Sequence, residues 1–154
     1  MTIRKVTHAT FTIERTYDVP PERVYRAFAD SEAKNKWFVG PDEWAQGERS
    51  MDFRVGGREH LSGGPKGQPP HIFDAIYQDI VPNERIIYSY DMHIGGNRIS
   101  VSLATIELKK AGKGTRMTFT EQGAFLDDFD KPQMREEGTK VLLEQMAKSL
   151  KAKD

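Results

Sequence analysis

Residues 85–109 read RIIYSYDMHIGGNRISVSLATIELK, two alternating segments joined by a short glycine-rich turn. In residues 85–93 a large apolar side chain occupies every second position, which is the period of a strand with one buried face. Gly95-Gly96-Asn97 then offers positive φ at both glycines, as a tight hairpin turn requires. We therefore predict two neighbouring antiparallel strands, over residues 85–93 and 98–109.

Strand-like alternation continues on both sides of this hairpin. The same pattern predicts strands over residues 11–17, 50–55, 58–62, 72–81 and 115–122. Residues 63–70 consist mainly of glycine and proline and are predicted to form a loop.

Two short helices are predicted after the first strand. Pro20 ends that strand, and Pro21 suits the first position of a helix. Asp30 or Ser31 can then cap a second helix that runs to Phe38.

A long helix is predicted at the C-terminal end of the chain. We expect Asp130 to cap it and Pro132 to lie in its first turn. We expect Gly138 to allow close approach to a sheet. Apolar residues recur at helical spacing and predict the buried stripe: Met134, Val141, Leu142, Met146 and Leu150. A helix of this kind has to cover a concave antiparallel sheet, which makes the fold class α+β.

Strand phase predicts which side chains face that helix. In residues 85–93 these are Ile86, Tyr88, Tyr90 and Met92, and in the last strand Met117, Phe119 and Glu121; Glu59 shares a face with Leu61. Residues 72–81 fit two phases, Phe73/Ala75/Tyr77 or Ile72/Ile76/Ile80. Between Val101 and Ala104 the apolar phase switches, which indicates a bulge near Leu103.

Polar tips on this mostly apolar face are the candidates for chemistry: Glu59, Tyr77, Tyr88, Tyr90 and Glu121. Burial of a carboxyl group would raise its pKa and make it a potential general acid or base. Alternatively, these groups hydrogen-bond one another or emerge at the rim of the sheet. The sequence leaves both interpretations open.

Composition excludes several classes of protein. The chain of 154 residues has 23 Lys and Arg against 23 Asp and Glu and no cysteine. We expect a single domain over residues 1–154, located in the cytoplasm, without nucleic-acid binding or stable membrane insertion. The four histidines lack the close spacing that is typical of metal ligands: His8, His60, His71 and His93. His60 and His71 could approach across a hairpin, but we expect no metal site and no cofactor.

Several motifs, taken in order, resemble a known superfamily. Residues 17–28, YDVPPERVYRAF, resemble the opening of bacterial START-like proteins of the SRPBCC superfamily. Further similar segments are Trp37-Phe38, residues 52–58, residues 81–86, residues 114–119 and the C-terminal helix. Within the superfamily the chain is similar to the branch named for the activator of the heat-shock chaperone ATPase.

The resemblance implies a helix-grip fold, a curved sheet of about seven antiparallel strands wrapped around the C-terminal helix with a deep cavity between them. Relatives bind apolar ligands, so we expect a hydrophobic small molecule as partner. The residues expected to contact it are Trp37, Phe38, Phe53, Glu59, Tyr77, Tyr88, Tyr90, Phe119, Glu121, Phe125, Met134 and Val141.

Two alternative functions stay open at this stage. One is an enzyme, a cyclase, hydrolase or lyase, with Glu59, Glu121 or Tyr88 as catalytic candidates. The other is a co-chaperone that activates a heat-shock ATPase, which would require a chaperone partner. A homodimer is also compatible with the sequence.

Overall fold

The computed structural model describes residues 4–151. Its elements, in chain order, are β1 (Val6–Tyr17), α1 (Pro21–Ala29), α2 (Ser31–Asn35), β2 (Ala45–Met51), β3 (Arg58–Gly64), β4 (His71–Val81), β5 (Arg85–Ile94), β6 (Asn97–Ala111), β7 (Gly114–Leu126) and α3 (Pro132–Lys151). None of the helices in this range is both long and apolar enough to span a membrane.

The strands form one antiparallel sheet of seven, in the order β1-β7-β6-β5-β4-β3-β2. Strands β2 to β7 follow one another as a meander, and β1 returns to pair with β7 along its whole length. Helix α3 packs against α1 and β1 on the inner face of the sheet. This arrangement confirms the predicted α+β class and the helix-grip fold.

Strand phase is confirmed in β3, β5 and β7, where a single phase was predicted. Ile86, Tyr88 and Tyr90 of β5 are buried, as are Met117, Phe119 and Glu121 of β7 and Glu59 of β3.

In β4 both alternatives are partly right. Phe73, Ala75 and Tyr77 face the core. A bulge between Tyr77 and Asp79 then changes the phase, so that Ile80 also packs against the core.

The bulge predicted near Leu103 is wrong. The register of β6 against β5 shifts instead at Ile99, because Met92 pairs with Ser100 and His93 pairs with Arg98. From that point the inward side chains keep one phase to Leu108. Val101 and Leu103 therefore point outward, where they are 42% and 37% exposed.

The strand predicted over residues 50–55 is also displaced, since β2 ends at Met51. Backbone hydrogen bonds from Arg54 to Asp52 and from Gly57 to Arg54 fold the following residues into a turn. A side chain at Gly57 would collide with the Asp52 carbonyl, so this turn requires glycine there.

The helix ends were predicted with mixed success. Asp30 caps α2, with its carboxylate accepting a hydrogen bond from the Ala33 amide at 3.0 Å. Asp130 does not cap α3, because the first helical amide bonds go to the Lys131 carbonyl. Gly138 does not contact the sheet, since no atom lies within 4 Å of a side chain placed there.

The inward face of α3 differs from the predicted one. Leu143, Met146 and Leu150 are buried, whereas Met134 and Val141 are 64% and 58% exposed. At about 100° per residue, Met134 lies about 160° around the helix from Leu150, so one stripe cannot contain both. The prediction that Met134 and Val141 face the sheet is therefore wrong.

Two methionines on the same helix give a matched test of this orientation. We expect Met146→Ala to lower the free energy of unfolding by roughly 2–5 kcal/mol, because it leaves a cavity in the core. Met134→Ala should change it by less than about 0.5 kcal/mol, because that side chain is exposed. Urea denaturation of the two variants measures both values, and equal losses would contradict the orientation described here.

Candidate functional site

The inner face of the sheet carries a continuous set of aromatic rings in contact. The ring centroids of Phe38 and Phe73 lie 5.1 Å apart, and those of Phe73 and Tyr90 lie 4.9 Å apart. Phe53 and Tyr77 continue the set at 4.8 Å, mostly in edge-to-face contacts. The rings linked in this way are Tyr25, Phe28, Trp37, Phe38, Phe53, Phe73, Tyr77, Tyr88 and Tyr90.

Two charged clusters interrupt this apolar surface. The first, which we call the Lys34 cluster, consists of Lys34 from α2, Glu59 from β3 and Tyr77 from β4. Lys34 Nζ lies 2.6 Å from Glu59 Oε1, and the Tyr77 hydroxyl donates to the same oxygen at 2.5 Å. The Lys34 and Glu59 side chains are each 4% exposed.

Burial dominates the electrostatics of the Lys34 cluster. It lowers the pKa of Lys34, and the adjacent Glu59 carboxylate offsets part of that effect. The ammonium group also lies 4.6 Å from the centroid of the Phe38 ring, a favourable position for a cation over an aromatic face.

The second, the Arg135 cluster, consists of Arg135 from the first turns of α3, Glu121 from β7 and Tyr90 from β5. The Tyr90 hydroxyl lies 2.9 and 2.8 Å from the two Glu121 carboxylate oxygens. Arg135 donates to that hydroxyl at 3.0 Å and lies 3.5 Å from Glu121 Oε2.

The same guanidinium is held from its other sides as well. It donates to Ser100 at 2.8 Å and to the Asp130 carboxylate at 3.0 Å. Its carbon lies 5.2 Å from the centroid of the Phe125 ring and 5.7 Å from that of Tyr90. Asp130, expected to cap α3, thus orients Arg135 instead.

Burial also dominates the electrostatics of Glu121. Burial raises the pKa of Glu121, and Arg135 and the Tyr90 hydroxyl offset part of the rise. Both carboxylates proposed from the sequence are therefore buried, and both have hydrogen-bond partners, as the second of the two open interpretations expected.

Tyr88 lies between the two clusters. Its ring centroid is 6.1 Å from that of Tyr77 and 5.8 Å from that of Tyr90. In residues 4–151 the fully buried hydroxyls without a hydrogen-bond partner are those of Tyr17 and Ser102. Tyr88 is only 8% exposed, and its hydroxyl is not one of them. Burial raises the pKa of this hydroxyl well above its usual range, so it remains a neutral donor and acceptor.

The chain matches the family described as Activator of Hsp90 ATPase homolog 1-like protein over residues 18–152. It belongs to that START-like family. The resemblance seen in the sequence is thereby confirmed, and the fold of this family commonly binds hydrophobic ligands.

Solved structures of bacterial proteins share this fold. The Mll3558 protein from Rhizobium loti is 50% identical, with a TM-score of 0.88, and the match covers 94% of this chain and 99% of that one. A putative uncharacterized protein from Rhizobium leguminosarum is 43% identical, with a TM-score of 0.91 and coverage of 97% and 98%. CV1439 from Chromobacterium violaceum is 28% identical, with a TM-score of 0.77 and coverage of 94% and 98%. No curated protein matches the chain.

The structure brings together most of the residues that the family resemblance implied. Trp37, Phe38, Phe53, Tyr77, Tyr88 and Tyr90 belong to the linked rings, and Glu59 and Glu121 to the charged clusters. Phe125 packs on Arg135, whereas Phe119 stacks on Phe11 at 6.5 Å. Met134 and Val141 lie on the outer side of α3, away from the other ten.

Sequence reasoning missed two residues, Lys34 and Arg135. The spacing of each residue from inward-facing residues near it in the chain could have indicated its position. Lys34 lies three and four residues before the inward Trp37 and Phe38. Arg135 lies eleven residues before the buried Met146, close to three helical turns. Neither residue was predicted to be buried, because Lys and Arg are almost never buried without a partner and their partners are distant in sequence.

We expect Arg135→Met to lower the free energy of unfolding by about 3–5 kcal/mol, because it leaves the buried Glu121 without its cation. Adding Glu121→Gln should recover part of that loss, since the remaining buried group is then neutral. Arg116→Met, at an exposed position of β7, is the control. Urea denaturation measures all four proteins, and equal losses for the two single arginine variants would contradict the assignment.

The buried tyrosines predict how stability depends on pH in alkaline solution. Burial raises the pKa values of Tyr17, Tyr77, Tyr88 and Tyr90. Above about pH 10 the unfolded chain loses these protons while the folded chain keeps them. The native state then binds more protons, so stability falls as pH rises, by up to about 1.4 kcal/mol per pH unit for each tyrosine.

Absorbance at 295 nm reports tyrosinate and tests this expectation. Most of the signal should appear in one step that coincides with loss of the far-ultraviolet circular dichroism. Titration of most tyrosines before any unfolding would contradict the burial described above.

Proposed function

We propose that this protein binds a small, mainly apolar molecule between the inner face of the sheet and α3, with a polar end placed at the Tyr88 hydroxyl. The observation that carries the proposal is the position of Tyr88, a residue only 8% exposed that lies among aromatic rings and outside both charged clusters. Its hydroxyl is a neutral polar group on an otherwise apolar part of the inner face. A ligand between the rings can form a hydrogen bond with it.

The surroundings of Tyr88 favour an aromatic ligand. The ring centroids of Phe73, Tyr77 and Tyr90 lie 6.2, 6.1 and 5.8 Å from that of Tyr88. A ring placed among them gains apolar burial and edge-to-face contacts, while a few polar groups set its orientation.

The charged clusters limit what the polar end can be. The Lys34 and Arg135 cations are already neutralised by Glu59 and Glu121, so an anionic ligand would find no unpaired cation at either cluster. A neutral hydroxyl or carbonyl matches the Tyr88 hydroxyl, which can donate or accept one hydrogen bond.

Entry of a ligand requires aromatic side chains to move apart, since the rings contact one another. Phe38, Phe53 and Tyr25 are half-buried, whereas Trp37, Tyr77 and Tyr88 are buried. The half-buried rings are therefore the ones to move, and we place the entrance between α1, α2 and the turn after β2.

A matched pair of ligands tests the role of the hydroxyl. We expect the wild-type protein to bind 2-naphthol more tightly than naphthalene by about three- to tenfold, the value of one net hydrogen bond. Tyr88→Phe should abolish this preference and keep the binding of naphthalene. Tyr25→Phe, which removes a half-buried hydroxyl at the entrance, should leave the preference intact. Isothermal titration calorimetry measures each dissociation constant.

Two outcomes would overturn the proposal. One is that neither compound binds the wild-type protein, and the other is that Tyr88→Phe keeps the preference. Native mass spectrometry of protein purified from its own host, followed by extraction, then addresses the identity of the natural ligand.

One observation favours the enzyme alternative, the raised pKa of Glu121. A carboxyl group of that kind could act as a general acid or base. Both of its oxygens lie within hydrogen-bond distance of Tyr90, however, so it would have to release that group before reaching a substrate. Carbon-13 NMR titration tests the alternative, because a Glu121 signal that titrates near about 4.3 would remove the proposed base. The chaperone partner and the homodimer stay predictions.

A further inference from the structure

The outer face of the sheet carries a cluster of histidine and aspartate side chains, far from the interior site. The pairing register places His60 of β3 opposite Asp74 of β4, and Asp74 opposite Asp91 of β5. His93 lies two residues beyond Asp91 and so shares its face of the sheet. Three adjacent strands thus present two imidazoles and two carboxylates to one area of the surface.

The distances within this cluster are short. One ligand atom from each of Asp74, Asp91 and His93 can be chosen so that all three lie within 4.8 Å of one another. His60 Nδ1 lies 2.6 Å from Asp74 Oδ1.

We propose that Asp74, Asp91 and His93 form a binding site for a divalent transition-metal ion, with His60 as a positioning residue. Two carboxylates directly opposite each other on antiparallel strands repel, and a cation between them removes that repulsion. The Asp91 side chain is 28% exposed and that of Asp74 47%, so an ion can reach the site from solvent.

The positive groups nearby leave room for such an ion. Arg98 Nε lies 3.5 Å from Asp91 Oδ2, and its side chain is 54% exposed, so it can move aside. On the other side of its ring, His60 Nε2 lies 3.9 Å from a carboxylate oxygen of Glu48, whose side chain is 92% exposed and is not a member of the cluster. An ionised Asp74 can only accept hydrogen bonds, so His60 donates its Nδ1–H to it and orients the carboxylate, as outer partners of metal ligands do.

The donor set selects the class of metal. One imidazole nitrogen with two carboxylate oxygens suits Zn²⁺ and neighbouring first-row ions, whereas Mg²⁺ and Ca²⁺ prefer oxygen ligands alone. Three protein ligands leave further coordination positions for water or for an external ligand.

No metal site was predicted from the sequence. His60 and His71, which could have approached across a hairpin, do not do so, because the register places these residues on opposite faces of the sheet. Asp91 and His93 lie two residues apart on one face of β5, whereas Asp74 joins them only through strand pairing.

The test uses the full-length, untagged protein after treatment with a chelator. We expect isothermal titration calorimetry with ZnCl₂ to show one site, and Co²⁺ to give a visible absorption band that Zn²⁺ abolishes. His93→Ala should weaken Zn²⁺ binding at least tenfold, because it removes a ligand, and His60→Ala about 10- to 100-fold, as expected for an outer partner. His8→Ala and His71→Ala are controls that should leave binding unchanged.

Asp91→Asn guards against a folding defect in His93→Ala. It should also weaken Zn²⁺ binding at least tenfold while keeping the wild-type circular dichroism. Wild-type protein that binds no Zn²⁺, equal affinity in wild type, His93→Ala and Asp91→Asn, or weakened binding in His8→Ala would each overturn the proposal. The experiment does not involve Tyr88, so its result is independent of the proposed interior ligand.

Discussion

The burial of Arg135 constrains the whole interior of this protein. A guanidinium with only 11% of its side chain exposed must be matched by acceptors, and these come from β5, β6, β7 and the turn before α3. Because a buried charge without partners is very costly, the helix can dock in few positions. The placement of α3 is therefore coupled through one side chain to three neighbouring strands of the sheet.

The Lys34 cluster likewise joins elements of the fold through a buried charge. It connects α2 to β3 and β4 through Glu59, because both Lys34 and Tyr77 donate to its oxygen Oε1. Between the two clusters, Phe73 and Tyr88 contact their neighbours through their rings. The interior thus combines polar anchors at two places with a central apolar region, and Tyr88 lies in that region.

Much of the inner face could be predicted from strand alternation, because Tyr88, Tyr90 and Glu121 lie in regular parts of their strands. The predicted phase of β6 was wrong, because no residue type near Ile99 indicates the bulge that lies there. Met134 and Val141 were wrongly predicted to face the sheet, because they are apolar but lie at an angle around the helix far from that of the buried Leu150. The tyrosine partners of Glu59 and Glu121 were among the predicted groups, whereas the cationic partners Lys34 and Arg135 were not, because they are distant in sequence and meet the carboxylates only in three dimensions.

One contact of α3 ties the proposed entrance to the helix. Gln145 donates to the carbonyl of Trp37 at 2.7 Å and to that of Val39 at 3.5 Å, on either side of Phe38. An outward movement of the backbone at Phe38 must therefore break these bonds or carry the middle of α3 with it. On the proposed function, ligand entry past Phe38 would move this backbone together with α3, and breaking of the two Gln145 hydrogen bonds would limit the rate of ligand exchange.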